Sequence, residues 1–540
     1  MKRYIFSLFA LAALQAGAQE TYENAKIMAE DLNGTARYVG MGGAMDALGA
    51  DISTIGTNPA GIGLFRRSTA NVSFGLVSQG EGKSFANGSK TNASFDQIGF
   101  VVASKSGNSS FVNFAFNYHK SRNFDYILSA ANSLNHASQH KLSYIKAVGD
   151  SDATGQSTFA IVEKNGYLYG DFYWTSQLDN LYYNSLIYDA NAQYGYNDGT
   201  GFELNRAHTG YIGEYDFNLS GNINDRVFLG MTIGIKDVHY KAYGEYTDHL
   251  IDAAGSPVGD VTVYDDRKIT GSGFDVKIGA IFRPVEDSPL RFGLSIATPT
   301  FYDLKTRNYT YLGNNTSLSA YNANYATSQV YEYKLYTPWK FGISAGHTVG
   351  DYLALGIGYE YADYSSADTR ENTGSEYDWW SDSYYDRSKS DEAMNRHTEK
   401  TLKGVSTLKI GAEYKAIPEL AFRLGYNYVS PMYKSDGYKD VYVDSYGTNY
   451  STTTDYTNWE ATHRLTLGLG YAFDNHFSVD VAYQFSYQKG NFYPFRDDYV
   501  DDYYQNQQGK IVVDEIDNYA DATKINNKRH QLLVTLGYRF

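Results

Sequence analysis

Several groups of residues in this 540-residue chain have types and spacings that chemistry uses. Gly342-Ile343-Ser344-Ala345-Gly346 has the Gly-x-Ser-x-Gly pattern of a nucleophile elbow, which holds a serine on a sharp strand-to-helix turn. His136 and His140 stand four apart, so on a helix they share a face and can share a metal. The doublets Asp497-Asp498 and Asp501-Asp502 offer hard oxygen ligands for Ca²⁺ or for bridging divalent cations. None is completed by its surroundings. Ser344 falls mid-run, with Phe341, Ile343 and Ala345 alternating against Gly342, Ser344 and Gly346, which predicts a strand interior rather than a turn. No third ligand stands at a recognisable distance from the histidines, so they read as solvated side chains, and the aspartates read as a solvated loop. His530 has no Ser and acid at triad spacing. With no cysteine in the chain, Cys-x-x-Cys-His haem attachment is excluded. No catalytic residue, no metal ligand and no cofactor are expected, and the chain reads as a non-enzyme.

The elements that carry these residues are those of an exported membrane protein. Lys2 and Arg3, the apolar run Ile5–Leu14, and Ala16-Gly17-Ala18 before Gln19 make residues 1–18 a cleaved signal peptide. Its removal leaves 522 residues and takes away two positive charges, so the net charge of −15 becomes −17. Nucleic acid, which needs a cationic face, is excluded as a partner. An exported chain without cysteine is not a disulfide scaffold. Later apolar runs fall short of the roughly 20 residues a transmembrane helix needs. The 53 tyrosines and 28 phenylalanines on a polar background instead match a transmembrane barrel, whose aromatic girdles flank a belt with every second residue apolar.

Period-two alternation marks the strands. Leu532, Val534, Leu536, Tyr538 and Phe540 share one face of the last run, against Leu533, Thr535, Gly537 and Arg539. The same pattern recurs at 69–79, 95–105, 109–119, 208–220, 225–246, 270–283, 290–303, 338–349, 352–364, 403–416, 419–430, 461–473 and 476–489. About 14 strands follow, an even number as a single-chain barrel requires. Short connections at 105–108, 221–225, 284–289, 349–351, 416–418 and 474–475 alternate with long polar ones. That is the arrangement of tight periplasmic turns and long extracellular loops. Within 109–119, Asn113 and Asn117 fall on the face opposite Val112, Phe114 and Phe116 and should line the lumen. One loop stands apart: in 124–148, Ile127, Leu134, Leu142 and Ile145 recur at roughly helical spacing and predict an amphipathic helix that either captures a ligand or packs over the mouth.

The segment 19–68 has no strand to occupy. Leu32–Gly63 is rich in Gly and Ala, which lets backbone approach backbone closely, and Asn58-Pro59-Ala60 reads as a rigid turn. The predicted organisation is a signal peptide at 1–18, a small plug at 19–68 inside the lumen, and the barrel with its loops at 69–540.

The run around Gly40, Gly42, Gly43 and Ala44, followed by Ala50-Asp51-Ile52-Ser53 and Asn58-Pro59-Ala60 directly before a barrel, resembles the N-terminal hatch of the FadL/TodX (OMPP1) family of outer-membrane transporters for hydrophobic molecules. Some relatives of that family are labelled haemin receptors. The resemblance implies outer-membrane uptake of long-chain fatty acid-like or other apolar compounds, with capture outside, a greasy pocket beside the hatch, and release through a side opening. It assigns hatch or gating residues to Gly40, Gly42, Gly43, Asn58, Pro59 and Ala60, and external capture to Ile127, Leu134, Leu142 and Ile145. In the family the opening accompanies a kinked early strand, and no proline or unusual glycine run marks 109–119. The aromatic end, Leu536, Tyr538 and Phe540, resembles the insertion signal read by the barrel-assembly machinery. Implied partners are a hydrophobic small molecule and outer-membrane lipid and lipopolysaccharide around a monomeric barrel. The alternatives are a barrel of this type anchoring a secretion complex, a porphyrin-binding receptor, and, last, a lipid-acting enzyme dependent on Ser344.

Overall fold

The computed structural model describes residues 20–148, 161–172, 174–185, 195–318, 325–380, 382–505 and 510–540; the signal-peptide segment lies outside them. Fourteen strands form the wall: β1 (Thr69–Gln79), β2 (Thr91–Lys105), β3 (Phe111–Asn123), β4 (Asp198–Ile223), β5 (Val227–Ile251), β6 (Pro257–Phe282) and β7 (Arg291–Ala297), then β8 (Lys340–Val349), β9 (Leu353–Asp363), β10 (Gly404–Ile417), β11 (Leu420–Val429), β12 (Tyr456–Ala472), β13 (Phe477–Tyr493) and β14 (Thr523–Arg539). Each pairs antiparallel with its successor. β1 closes on β14, with Thr69 opposite Arg539 and Gln79 opposite Arg529. Closure leaves the sheet no free first or last strand, which hydrocarbon demands of a spanning sheet.

The wall alternates as the sequence predicts. Phe74, Leu76, Leu229, Met231, Leu294, Ile343, Leu424 and Leu467 point outward and are exposed, while Ser73, Asn113, Asn117, Thr232, Thr466 and Thr535 point inward and are buried. Leu536, Tyr538 and Phe540 lie on the outward face, and the Phe540 amide donates to Ser68 O at 3.0 Å. Ser344 sits mid-strand in β8, paired on both sides by β7 and β9, so the elbow geometry is absent there.

At the long-loop end the chain departs from the sequence reading. β4, β5 and β6 run 26, 25 and 26 residues, well beyond the roughly 9–11 a spanning strand needs. Further hairpins at 301–316 with 325–336, 368–378 with 383–390, and 498–505 with 511–518 rise beside them. Outside the membrane both faces meet water or other loops, so the alternation that reveals a strand fades.

The single helix expected over 124–148 is a strand, Tyr126–Ser133, followed by a helix, Gln139–Val148. The strand pairs with β4 from Tyr126 opposite His208 to Ser133 opposite Gly201. This ladder outweighs the helical periodicity of four apolar residues. Ile127, Leu134, Leu142 and Ile145 are all buried, Ile127 on the strand, Leu134 just after it, and Leu142 and Ile145 on the helix. Leu134 and Leu142 pack with Phe202, Phe492 and Phe495, and Ile145 packs with Val148, Val500 and Ile516. They share no exposed apolar face. His136 precedes the helix and pairs with Asp198 at 3.0 Å, whereas His140 Nδ1 accepts from the Asn197 amide at 3.1 Å; the two histidines do not converge. Asp498 is buried and accepts from Tyr442 Oη at 2.6 Å, and Asp497 accepts from the Ala520 amide at 3.0 Å. Asp498 is thus bound into the loop rather than solvated, whereas Asp497 stays exposed as read; the Asp502 side chain lies outside what the structure describes.

Candidate functional site

Residues 20–68 run the length of the lumen. Helix Thr21–Met28 lies at the long-loop end, where Thr21 bonds to His397 and Thr398 of the loop helix Glu392–Thr401. The one-turn helix Ala36–Gly40 packs on β12 and β13, and the 3₁₀ turn Pro59–Leu64 packs on β4, β5 and β6 near the short-turn end. The segment therefore begins at the long-loop mouth and descends toward the short-turn end.

Its lower part, residues 36–65, lies against a track of inward-facing glycines, one or more from each of eight consecutive strands. Gly230 and Gly279 meet Pro59 and Asn58, Gly293 meets Asn58, and Gly346 and Gly356 meet Leu48 and Ala44. Gly411, Gly425 and Gly468 meet Met41, Gly42 and Gly40. A Cβ at Gly346 would lie 2.9 Å from Leu48 Cδ2, and one at Gly293 2.8 Å from Asn58 Nδ2. At Gly356, Gly411 and Gly425 the added Cβ would instead fall on plug backbone, at Ala44 O, Met41 O and Gly42 N, so only glycine admits the contact there. Gly42 turns at φ +64°, where an added Cβ would reach Tyr426 N at 2.8 Å. Gly342 and Gly346 of the Gly-x-Ser-x-Gly match belong to the same inner face. The sequence marked the small residues of the plug; their complements, one per strand, carried no local signal.

Asn58 caps the 3₁₀ turn by accepting from the Ala60 amide at 3.2 Å. Pro59 O accepts from Ser220 Oγ at 2.8 Å, and fully buried Ala60 packs with Phe228 and Ile281. Asn113 points inward as read and donates to Ile62 O at 2.7 Å and Phe65 O at 3.1 Å.

The upper part is held by charge. Glu20 pairs with Lys439 at 2.5 Å, Glu23 with Arg267 at 3.4 Å, and Glu30 with Lys236 and Lys340 at 2.9 and 2.5 Å. Asp31 faces Arg122 at 3.0 Å, Arg529 at 3.7 Å and Arg464 at 4.0 Å. Burial disfavours the Asp31 carboxylate, but the three guanidiniums outweigh burial and hold its pKa below the usual range. His119, Glu214 and Asp216 approach one another closely enough to ligate a cation. The Lys277 ammonium already serves them, at 3.2 Å from Asp216 and hydrogen-bonded to Glu214.

Beside this upper part the wall parts. β2 and β3 pair only from Gln97 opposite His119 to Lys105 opposite Phe111. Beyond that, Thr91–Phe95 pair with β1 alone and Lys120–Asn123 with β4 alone. Bulges at Asp96 and Ser121, where the registers slip, re-aim the two strands. An early strand thus bends without the proline or glycine run that 109–119 lacks. The seam is bridged by side chains: Asn33 Nδ2 donates to Asp96 Oδ1 and to Lys120 O, both at 3.1 Å, and Lys120 Nζ donates to Ser94 Oγ at 3.0 Å. The Asp31 amide donates to Ser121 O at 2.8 Å, and Asp31 Oδ2 accepts from the Asn123 amide at 2.9 Å.

Between plug and wall lies a cavity of about 360 Å³ that reaches Asn33 and Ser121 at the seam. Tyr22, Phe124, Tyr126, Tyr433, Tyr456 and Trp459 line it together with the three arginines facing Asp31. Where the resemblance implies a greasy pocket, the structure holds an aromatic chamber with a charged wall.

No protein-family profile matches the chain, and no curated protein does. Among solved structures, the toluene transporter TbuX of Ralstonia pickettii is 12% identical over 94% of this chain and 99% of its own, with a TM-score of 0.46. The P. putida toluene transporter TodX is 11% identical over 94% and 99%, at 0.45, and a Pseudomonas aeruginosa FadL homologue 12% identical over 98% and 99%, at 0.45.

Proposed function

We propose that this chain is an outer-membrane channel of the FadL/TodX type, which takes apolar small molecules from outside the cell toward the periplasm around a lumen plug. The observation that carries this reading is the aromatic cavity that touches both the plug and the side-chain-bridged seam between β2 and β3. A pore filled along its length by residues 20–68 offers no open aqueous path for sugars or ions, whereas a seam closed by a few side-chain hydrogen bonds opens at small cost compared with breaking a strand ladder. The outward apolar belt receives what leaves through that seam.

In this reading Gly40, Gly42, Gly43, Asn58, Pro59 and Ala60 seat the plug, and the gate is its upper part at Asp31 and Asn33. Leu536, Tyr538 and Phe540 serve insertion by the barrel-assembly machinery, and the barrel acts as a monomer. The test is uptake of labelled toluene and labelled dodecanoate by cells carrying the protein, against cells carrying Ser94→Cys and Lys120→Cys with the two thiols bridged across the seam by a bis-maleimide that contains a reducible disulfide. Uptake that the lock abolishes and reductant restores supports the reading; equal uptake with the seam locked overturns it.

A further inference from the structure

Arg122, Arg464 and Arg529 come from β3, β12 and β14, strands far apart in sequence, and converge on one carboxylate, Asp31 of the plug. Their other bonds are few. Arg464 Nη1 donates to Asn427 Oδ1 at 2.7 Å, Arg529 Nη1 donates to Asn123 O at 3.2 Å, and Arg122 lies 5.9 Å from the Phe124 ring centroid. The Nε atoms of Arg122 and Arg529 are buried and have no hydrogen-bond partner among the described residues. Donors on buried guanidiniums are costly to leave unpaired.

Two other charge clusters of the lumen hold at least as many carboxylates as cations: Arg37 and Arg423 share Glu413 and Asp480, and Lys236 and Lys277 share Glu214, Asp216 and Asp275. Around the arginine triad, Asp96 and Asp125 lie farther off beside Lys120, and cations still outnumber carboxylates. All three arginines line the cavity with Tyr22, Tyr433, Tyr456 and Trp459.

We propose, resting on the transport reading above, that Arg122, Arg464 and Arg529 bind the anionic head of an amphiphile whose apolar tail lies among the cavity's aromatic rings, and that Asp31 is a resident anion which this head displaces. The exchange is one carboxylate or sulfonate for another, so the charge of the site is conserved. It has a mechanical result, because Asp31 also ties the plug to Ser121 and Asn123 at the seam. Head binding and release of the seam are then one event, and a neutral hydrocarbon of the same length binds without triggering it.

The experiment measures binding of dodecanoate and of dodecan-1-ol to the purified barrel in a neutral detergent, by calorimetry, with folding of each variant checked by heat-modifiable mobility. Arg464→Gln and Arg529→Gln are expected to weaken dodecanoate by about tenfold, the loss of one charge-assisted contact, and to leave dodecan-1-ol unchanged. Arg529→Lys keeps the charge and retains most of the affinity. Asp31→Asn removes the competitor and is expected to tighten dodecanoate by about tenfold. Dodecanoate affinity that is indifferent to all four substitutions, or that Asp31→Asn weakens, overturns the inference. A wild-type barrel that binds dodecan-1-ol but not dodecanoate does so too while leaving the transport reading intact; one that binds neither refutes both.

Discussion

The plug meets the wall in two different ways. From Ala36 to Phe65 it lies mainly by close packing on the glycine track of β5 to β12, with Arg37 on Glu413 and Asp46 on Lys409 as charge contacts beside it. From Glu20 to Thr35 it meets β2, β3, β5, β6, β8, β12 and β14, and Lys439 between β11 and β12, through side chains, chiefly carboxylates on lysines and arginines. Close packing has one solution and fails when a single atom is added. A charge contact can be exchanged for another of the same sign and tolerates water while it does so. The lower part is built to stay and the upper part to be traded.

The sharpest way to break this contrast is to fill the track. Gly356→Val adds atoms where Ala44 O already sits, and the expected cost is about 3 kcal/mol, seen as a lower melting temperature by heat-modifiable mobility and as a leak for small hydrophilic dyes. A silent Gly356→Val would show that the plug is loose there. Asn33→Ala removes the bridge across the seam and should cost about 1–2 kcal/mol. Hydrogen exchange should then quicken at the amides of Lys120–Asn123 and stay unchanged at 36–65. Spread of the effect into the lower part would mean that the two parts form one cooperative unit. Asn58→Ala deletes a cap in the packed part; it should lower stability by about 1 kcal/mol and leave uptake of a labelled fatty acid normal. Lost uptake in a normally folded barrel would move the gate to Asn58.

The smallest effect is a pH dependence at the top of the plug. Burial pushes the His397 imidazole below its ordinary range, with Lys439 acting the same way and the Tyr438 carbonyl, Asp440 and Glu20 opposing. A depressed histidine stabilises the folded state while neutral. That contribution is complete above the unfolded pKa of about 6.5 and is lost as pH falls below it. Exchange at Thr21–Met28 should therefore quicken between about pH 6.5 and pH 5, and His397→Gln should flatten the profile.

Strand number, order and facing were legible because a membrane wall imposes apolar-out and polar-in at every second residue, and Asn113 could be placed inside on that ground alone. The upper reaches of β4 to β6 and the strand at Tyr126–Ser133 were not, because above the membrane that rule stops. The plug was legible as a block of small residues before a barrel. The arginine triad was hidden, since Arg122, Arg464 and Arg529 meet only through closure of the sheet. The seam was hidden for a related reason: Asp96 and Ser121 bulge without glycine or proline to mark them.

The bond from the Phe540 amide to Ser68 also fixes an order of events. Ser68 is the residue at which the plug ends and the wall begins, and Phe540 directly follows β14, the strand that closes the wall. The contact that shuts the cylinder thus joins two regions far apart in the chain, and it is the contact that leaves the plug inside. A segment already docked on its wall glycines would act as a mandrel for the curling sheet, whereas one still outside would have to be drawn through a finished tube. Folding of this protein should then be rate-limited at closure, with a lag that lengthens when the track is spoiled and not when the seam is.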